Sequence, residues 1–300
     1  MSNIINNHTG IPFPQLNIQA VVNQIKQSYE AAILNGTTAN TIRTSTLIKS
    51  VHNAVKTEFL NNHIHPSLIN PSKSYLQRVI NPPARQYNQP RRLVDQELQI
   101  GGFLKTKNQD ISVIPDNIHI APQVLNFTSM MYGYNDVYGH NFTESILSVN
   151  VRSQLSSVGK NFDTLYERTF AESLNLHLRC PNMVLGEVYL IPVKEYDNDA
   201  SKLGNVAFNT IDIKKYIEAF QAINNRTGPL DEKYKYERCC LLVVDFDRPV
   251  PKIYNTSAEL IQDGFLPQGS VASMTGLDYP SFVTDILNIY RTRFPVNTFI

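Results

Sequence analysis

Hydrophobic positions along the chain switch from a helical to a strand period about one third of the way through. Residues 17 to 34, NIQAVVNQIKQSYEAAIL, place Ile18, Val21, Val22, Ile25, Tyr29 and Ile33 at helical spacing, and Asn35-Gly36 is a stop signal. Residues 38 to 60 repeat the pattern with Ile42, Leu47, Val51, Val55 and Leu60, which predicts a helical hairpin or small bundle over residues 1–62. From 63 to 90 the chain carries Pro66, Pro71, Pro82, Pro83 and Pro90, which neither a continuous helix nor a central strand tolerates. Residues 63–104 therefore read as a wrapping segment.

Beyond it the period is two. Strands are predicted at 110–114 (DISVI), 146–152 (ILSVNVR), 183–192 (MVLGEVYLIP) and 239–246 (CCLLVVDF), with helices at about 163–178 and 211–223 and in the tail YPSFVTDILNIYRTRF. Long apolar strands alternating with helices predict an α/β fold: a central mixed β-sheet flanked by helices over residues 105–300, with an N-terminal helical part. One strand is unusual. In SVNVRSQLSS, Val149 and Val151 alternate with Ser148, Asn150, Arg152 and Gln154, so four polar side chains share a face. That row either meets water along a half-solvated strand or lines a site.

Composition narrows the classes. The 300 residues have a formal net charge of +1, so no global charge imbalance announces a polyanion, although a local patch is enough to hold a phosphate backbone. Cys180, Cys239 and Cys240 are odd in number and have no CxxC spacing, which predicts neither a disulfide framework nor a structural zinc site and fits a reducing cytoplasm. The start, MSNIINNHTG, lacks a basic segment followed by an apolar one, and no apolar run is long enough to span a bilayer, so a soluble, cytoplasmic protein is expected. No P-loop, GxGxxG or GxSxG occurs, which leaves nucleotide hydrolysis, dinucleotide chemistry and serine hydrolysis without support. His63-x-His65 is followed by Pro66 and has no further ligand spacing, so it reads as a surface pair.

The order QDISV, SVNVRSQLSS, helix resembles the PD-(D/E)XK fold of type II restriction endonucleases over roughly residues 105–195. Asp110 matches the first Asp of that pattern, and Asn150-Val151-Arg152 stands in the place of the (D/E)-x-K triplet. Two departures follow: Asn150 is not a carboxylate, and Arg152 is permanently protonated and cannot act as a base. A subgroup of this family, similar to the enzymes that cut CCGG-containing sites, takes its second carboxylate from the helix after the strand. Here Glu167 and Glu172 lie 15 and 20 residues after Arg152. Five helical residues turn a side chain through about 140°, so both cannot enter one site. Glu167 also completes Thr164-x-x-Glu167, a capping-box pattern. Glu187, a carboxylate inside VLGEVYLIPV, is costly there unless paired or metal-bound, and is a third candidate. Asp116, after Pro115, is the alternative to Asp110, which is preferred because the strand pattern follows it directly.

The resemblance implies a Mg²⁺-dependent hydrolase, a site-specific deoxyribonuclease acting on double-stranded DNA. Its catalytic residues would be Asp110, Arg152, Gln154 and Glu167 or Glu172, and its metal ligands Asp110 or Asp116 with Glu167, Glu172 or Glu187. It also implies a cognate DNA methyltransferase, and action as a homodimer or with other restriction subunits. Arg85, Arg91, Arg92, Lys105 and Lys107 face only Asp95 and Glu97 between 85 and 107, and form the expected DNA-binding patch. The alternative expectation is a non-catalytic recognition or structural subunit of a multi-protein restriction system.

Overall fold

A computed structural model describes residues 13–38, 46–71, 97–116 and 118–295. Among the described residues the N-terminal part forms α1 (Ile18–Leu34) and α2 (Thr46–Asn61). The Asn17 side chain caps α1 by accepting the N–H groups of Gln19 and Ala20, and α1 ends at the Asn35-Gly36 signal, where Gly36 takes φ +65°. Its buried stripe is Val21, Val22, Ile25, Tyr29, Ala32 and Ile33, which is the predicted one with Ala32 added and Ile18 only partly buried. Residues 39–45, inside the second predicted helix, lie outside the described residues, as do 72–96 of the wrapping segment. The described part of that segment includes β1 (Ile69–Asn70), an edge strand ending where Pro71 stops it.

Next come the hairpin β2 (Leu98–Gly101) and β3 (Thr106–Gln109), and then β4 (Ile111–Val113). The small pair β5 (Gln123–Val124) and β6 (Asn135–Asp136) and the short α3 (His140–Ser145) precede β7 (Leu147–Ser153). Helix α4 (Phe162–His177) leads to β8 (Val184–Pro192). After it β9 (Lys194–Tyr196), α5 (Asn198–Lys202), β10 (Phe208–Thr210) and α6 (Ile213–Ala222) connect to β11 (Arg238–Asp245). The chain closes with β12 (Lys252–Tyr254), α7 (Ser257–Gln262) and α8 (Tyr279–Arg293).

The fold is α/β around a mixed six-stranded sheet of order β1-β4-β7-β8-β11-β12. Strands β7, β8 and β11 are parallel, and the flanking pairs are antiparallel. The sheet is covered on both faces, as its apolar runs predict. One face packs Val149, Val151, Val188 and Leu242 under α1, α2 and α8; the other packs Leu185, Tyr189, Ile191 and Leu241 under α4, α6 and α7. The N-terminal helices thus share a core with the sheet, and that core continues across residue 62. Helix α8 lies so close that a Cβ on Gly186 would stand 2.8 Å from both Phe282 Cζ and Ile286 Cδ1.

One open alternative closes and one local expectation is corrected. The strand SVNVRSQLSS is not half-solvated: β7 is central, and Ser148 and Asn150 are buried. The polar row therefore faces the protein interior. The Thr164-x-x-Glu167 capping box does not form: the helix follows a 3-10 turn over Gly159–Asn161 and starts three residues earlier than that box would place it, at Phe162. Thr164 and Glu167 are exposed residues within the helix. Among the described residues no helix is long and apolar enough to cross a membrane.

Candidate functional site

A cavity of about 530 Å³ opens at the C-terminal end of β7, between the N-terminal helices and α4. Ligands of open α/β sheets sit characteristically at the carboxyl ends of parallel strands. Its polar lining includes Lys107, Asp110, Asn150, Arg152, Arg168 and Glu172, with Tyr29 and Leu165 among the apolar members.

The polar row of β7 builds the floor. Ser148 donates its hydroxyl to Gln109 Oε1 at 2.6 Å, which ties the row to β3. Asn150 is buried, is in register with Glu187 on β8, and leaves its Nδ2 without a hydrogen-bond acceptor. Arg152 follows on the same face. Its Nη2 donates to Glu172 Oε2, its Nη1 reaches Thr169 Oγ1 at 3.5 Å, and its Nε stands 2.9 Å from Glu187 Oε1. The contact with Glu187 is an ion pair without an aligned hydrogen bond, so both oxygens of that fully buried carboxyl lack a donor.

Asp110 enters from the corner between β3 and β4, where its Oδ2 accepts the Val151 N–H at 2.7 Å. Burial is the main reason its pKa is pushed up to about 6; Glu97 and Glu172 add to the rise, while the Val151 hydrogen bond and Arg152 oppose it. Glu187 is pushed up to about 8, again chiefly by burial, with Glu172 and Asp110 adding to it against Arg152 and Lys107. For Arg152, burial works against the charge, but Glu187, Tyr236, Glu172 and Asp110 outweigh it and hold the guanidinium above its ordinary value. Arg152 is a fixed cation.

Helix α4 brings the third carboxyl. Leu165, Arg168 and Glu172 are spaced 3 and 4 residues apart, which puts them on one face, and all three line the cavity. Glu172 is buried; its Oε2 also pairs with Lys107 Nζ at 2.6 Å, while its Oε1 has no hydrogen-bond partner. One turn on, the buried Asn175 accepts the Leu104 N–H at 2.7 Å and donates to the Lys105 carbonyl, clamping the β2–β3 hairpin against α4. A Cβ on Gly102 would lie 2.3 Å from Asn175 Nδ2, so glycine is what lets the clamp close.

The structure thus gathers Asp110, Arg152 and Glu172 at one cavity, with Glu187 behind Arg152. Gln154 lines it too, but its amide is engaged: Nε2 donates to the Ser157 carbonyl at 2.8 Å and Oε1 accepts from Tyr189 Oη at 3.0 Å. Glu167 is exposed on α4 and outside the lining, because five residues from Glu172 it points elsewhere. Asp116 lies exposed beyond the far end of β4 and is likewise outside it. Lys105 is exposed at the hairpin turn, Lys107 lines the cavity, and Arg85, Arg91 and Arg92 lie outside the described residues. Arg168 was not singled out from the sequence, nor was the Lys107–Glu172 pairing. The spacing of Leu165, Arg168 and Glu172 carried the first signal, and nothing local carried the second.

Among the described residues, no three His, Cys, Asp or Glu side chains stand together as a metal-ligand set. Mg²⁺ commonly takes only one or two carboxylates and completes its shell with water and substrate phosphate. Asp110 and Glu172 offer hard oxygen donors, and Glu172 Oε1 is a buried oxygen with no partner, so the donor chemistry fits that cation.

Two other clusters serve different ends. Glu237 accepts from Arg226 and Arg293, each at 2.7 Å, and from the Leu185 N–H, with His177 at 3.4 Å, so it joins α4, β8, β11 and α8 inside the core. Cys180 Sγ lies 3.8 Å from His140 Nδ1, and His140 pairs with Glu144. Burial pushes that thiol up to about 12, which denies it the thiolate a nucleophile needs. His65 accepts the Ser67 N–H and caps a short turn, while His63 is exposed. No family model, curated protein or solved structure matches the chain.

Proposed function

We propose that the chain is a Mg²⁺-dependent endonuclease of restriction type, with a restriction-endonuclease-like core, that hydrolyses phosphodiester bonds of double-stranded DNA. The observation carrying this reading is the meeting of Asp110, from a strand corner, and Glu172, from the helix after β7, around the part-buried cation Arg152 in one open cavity. In the resemblance drawn from the sequence, the second carboxylate comes from that helix. Glu172 fits this role in position, and Glu167 does not.

Asp110 and Glu172 are the residues that would hold Mg²⁺. Bound there, the ion would act as a Lewis acid on the phosphate and on the departing oxyanion. Arg152 supplies a permanent positive charge beside the phosphate site, while its nitrogens stay with Glu172, Glu187 and Thr169. Glu187 fixes its direction from behind, at the cost of a buried, poorly solvated carboxyl. Neither Arg152 nor Asn150 can take a proton from water, so the attacking water would be activated at the carboxylate side of the cavity. By the same resemblance the protein would work as a homodimer or with other restriction subunits, beside a cognate DNA methyltransferase, and its cysteine pattern would suit the cytoplasm.

Supercoiled plasmid incubated with the purified protein and Mg²⁺ tests the proposal. Nicked or linear product is expected, lost in EDTA and reduced at least 100-fold by Asp110→Asn or Glu172→Gln, while both variants remain folded. Intact plasmid with the wild-type protein, across sequences that include many palindromes, would refute it. The second reading, a non-catalytic DNA-binding subunit, is favoured by Asn150 standing where a carboxylate is expected, and is the outcome if the plasmid is bound and never cut.

A further inference from the structure

The cavity holds three cationic side chains, and they differ in how far each is committed. Arg152 is spent inside: its nitrogens meet Glu172, Glu187 and Thr169, and its side chain is 16% exposed. Lys107 has one ion-pair partner among the described residues, Glu172 Oε2, the oxygen that Arg152 Nη2 already satisfies. Its pairing is therefore redundant for Glu172, and its side chain is the more exposed of the two at 26%. Period two along β3 puts Lys107 on the same face as Gln109, which bonds to Ser148 of the polar row, so the lysine is directed at the cavity rather than at bulk water. Arg168 is exposed, lines the same cavity one helical turn before Glu172, and has no hydrogen-bond or ion-pair partner among the described residues.

We infer that Lys107 and Arg168 form a two-sided clamp for one backbone phosphate of duplex DNA at this cavity. The choice of duplex DNA as ligand rests on the function proposed above. Lys107 comes from a hairpin held to α4 by Asn175, and Arg168 from α4 itself, so the two cations are carried on parts of the protein fixed to one another. A phosphate between them gains charge-assisted hydrogen bonds from both. It does not compete for Arg152, which stays with its carboxylates. The pair also replaces part of the sequence-derived basic patch: of its two described residues, Lys105 and Lys107, Lys107 lines the cavity, and Arg168 lies 61 residues further along the chain.

The experiment is binding of a mixed-sequence DNA duplex in EDTA, where cleavage does not interfere, measured as log K against log salt concentration. Each phosphate contact adds about 0.9 to the slope. Lys107→Met and Arg168→Gln are each expected to make it shallower by about 1 and together by about 2, on every sequence tested. Lys107→Arg should retain the wild-type slope, which separates lost charge from disturbed folding; unfolding midpoints should agree across the set. Lys202→Met removes an exposed lysine paired with Asp199 outside the cavity and should leave the slope unchanged. The clamp is overturned if neither Lys107→Met nor Arg168→Gln changes the slope, if Lys202→Met changes it as much, or if the wild-type protein does not bind the duplex. A plasmid bound but never cut with Mg²⁺ would instead sink the nuclease reading and leave the clamp standing.

Discussion

Glu187→Gln should gain stability relative to the wild-type protein as pH rises, although it removes a partner of the part-buried Arg152. Glu187 is completely buried, and its pKa rises from 4.5 to about 8. A carboxyl with a raised folded-state value binds its proton more tightly in the native than in the unfolded chain. Stability is therefore lost as pH rises from 4.5 toward about 8, and levels off above that. At ~1.36 kcal/mol per pH unit the loss between pH 6 and 9 amounts to about 2.5 kcal/mol. Asp110 titrates in the same sense, but between 3.8 and about 6, so its share lies mostly below this window. The glutamine cannot ionise and keeps nearly the same volume. The assay is urea unfolding of wild-type and Glu187→Gln protein in EDTA at half-unit pH steps. Any constant cost of altering the Arg152 contact cancels in the pH dependence. The stability of the variant relative to wild type should climb by about 2 to 3 kcal/mol from pH 6 to 9. A difference that stays flat would show that Glu187 is ionised at no cost in the native state, and would refute the account of the site as an undercompensated buried cluster.

Glu237→Gln should act in the opposite sense. Although burial opposes its charge, His177, Arg293 and Arg226 hold the Glu237 carboxyl down to about 2, so its stabilisation is complete above 4.5 and is lost as pH falls toward 2. The variant should lose about 3 to 5 kcal/mol at pH 7, because two buried guanidinium groups then face an amide. The gap should narrow below pH 4.5 in denaturant titrations, and a gap that stays constant with pH would count against the pairing. Gly186→Ala should cost about 1 to 3 kcal/mol in thermal or urea unfolding, because the new methyl would meet Phe282, Ile286 and Val149 at 2.8, 2.8 and 3.1 Å. Pairing it with Phe282→Leu should recover part of that loss, and no recovery would place the strain elsewhere.

Much of the sheet was legible because burial on two faces writes long apolar runs into a strand. Residues 183–192 and 239–246 became β8 and β11 with boundaries shifted by one residue. The N-terminal helices were equally plain, since an amphipathic stripe needs only its own segment to be seen. What local pattern could not say was where those helices would pack. A stripe reads the same whether it closes a bundle or covers a sheet, and here it covers the sheet. The polar row of β7 was visible as alternation, but alternation does not distinguish water from a buried cavity; only the neighbouring strands and α4 decide that. For Glu167 and Glu172, the 140° argument showed that at most one could enter the site. The choice between them depended on which face of α4 turns to the cavity, and only the packing of the helix against the sheet decides that. The Lys107–Glu172 pair joins residues 65 apart, across a hairpin held by Asn175, and no local spacing encodes such a contact.

The two buried charge clusters show why one is read as a site and the other as a brace, although both are made of acids and guanidinium groups. Around Glu237 the cations converge on a single carboxylate, and the backbone N–H of Leu185 adds a further donor. The negative charge is overpaid, the pKa falls, and nothing in the arrangement asks for another ligand. Around Arg152 the pairing is incomplete: Glu172 and Glu187 draw on Arg152 and Lys107, while among the described residues Asp110 has no ion pair and Arg168, the third cation of the cavity, pairs with none of the three carboxyls. Burial lifts two of the three carboxyls well above their ordinary values, and Glu172 and Glu187 keep oxygens without donors. A folding core gains nothing from that imbalance, since an apolar residue at 187 would be cheaper. It becomes intelligible if the missing positive charge arrives from outside. The imbalance sits at the open end of β7, where a ligand can enter, and not in the closed core beside α8, where it could not.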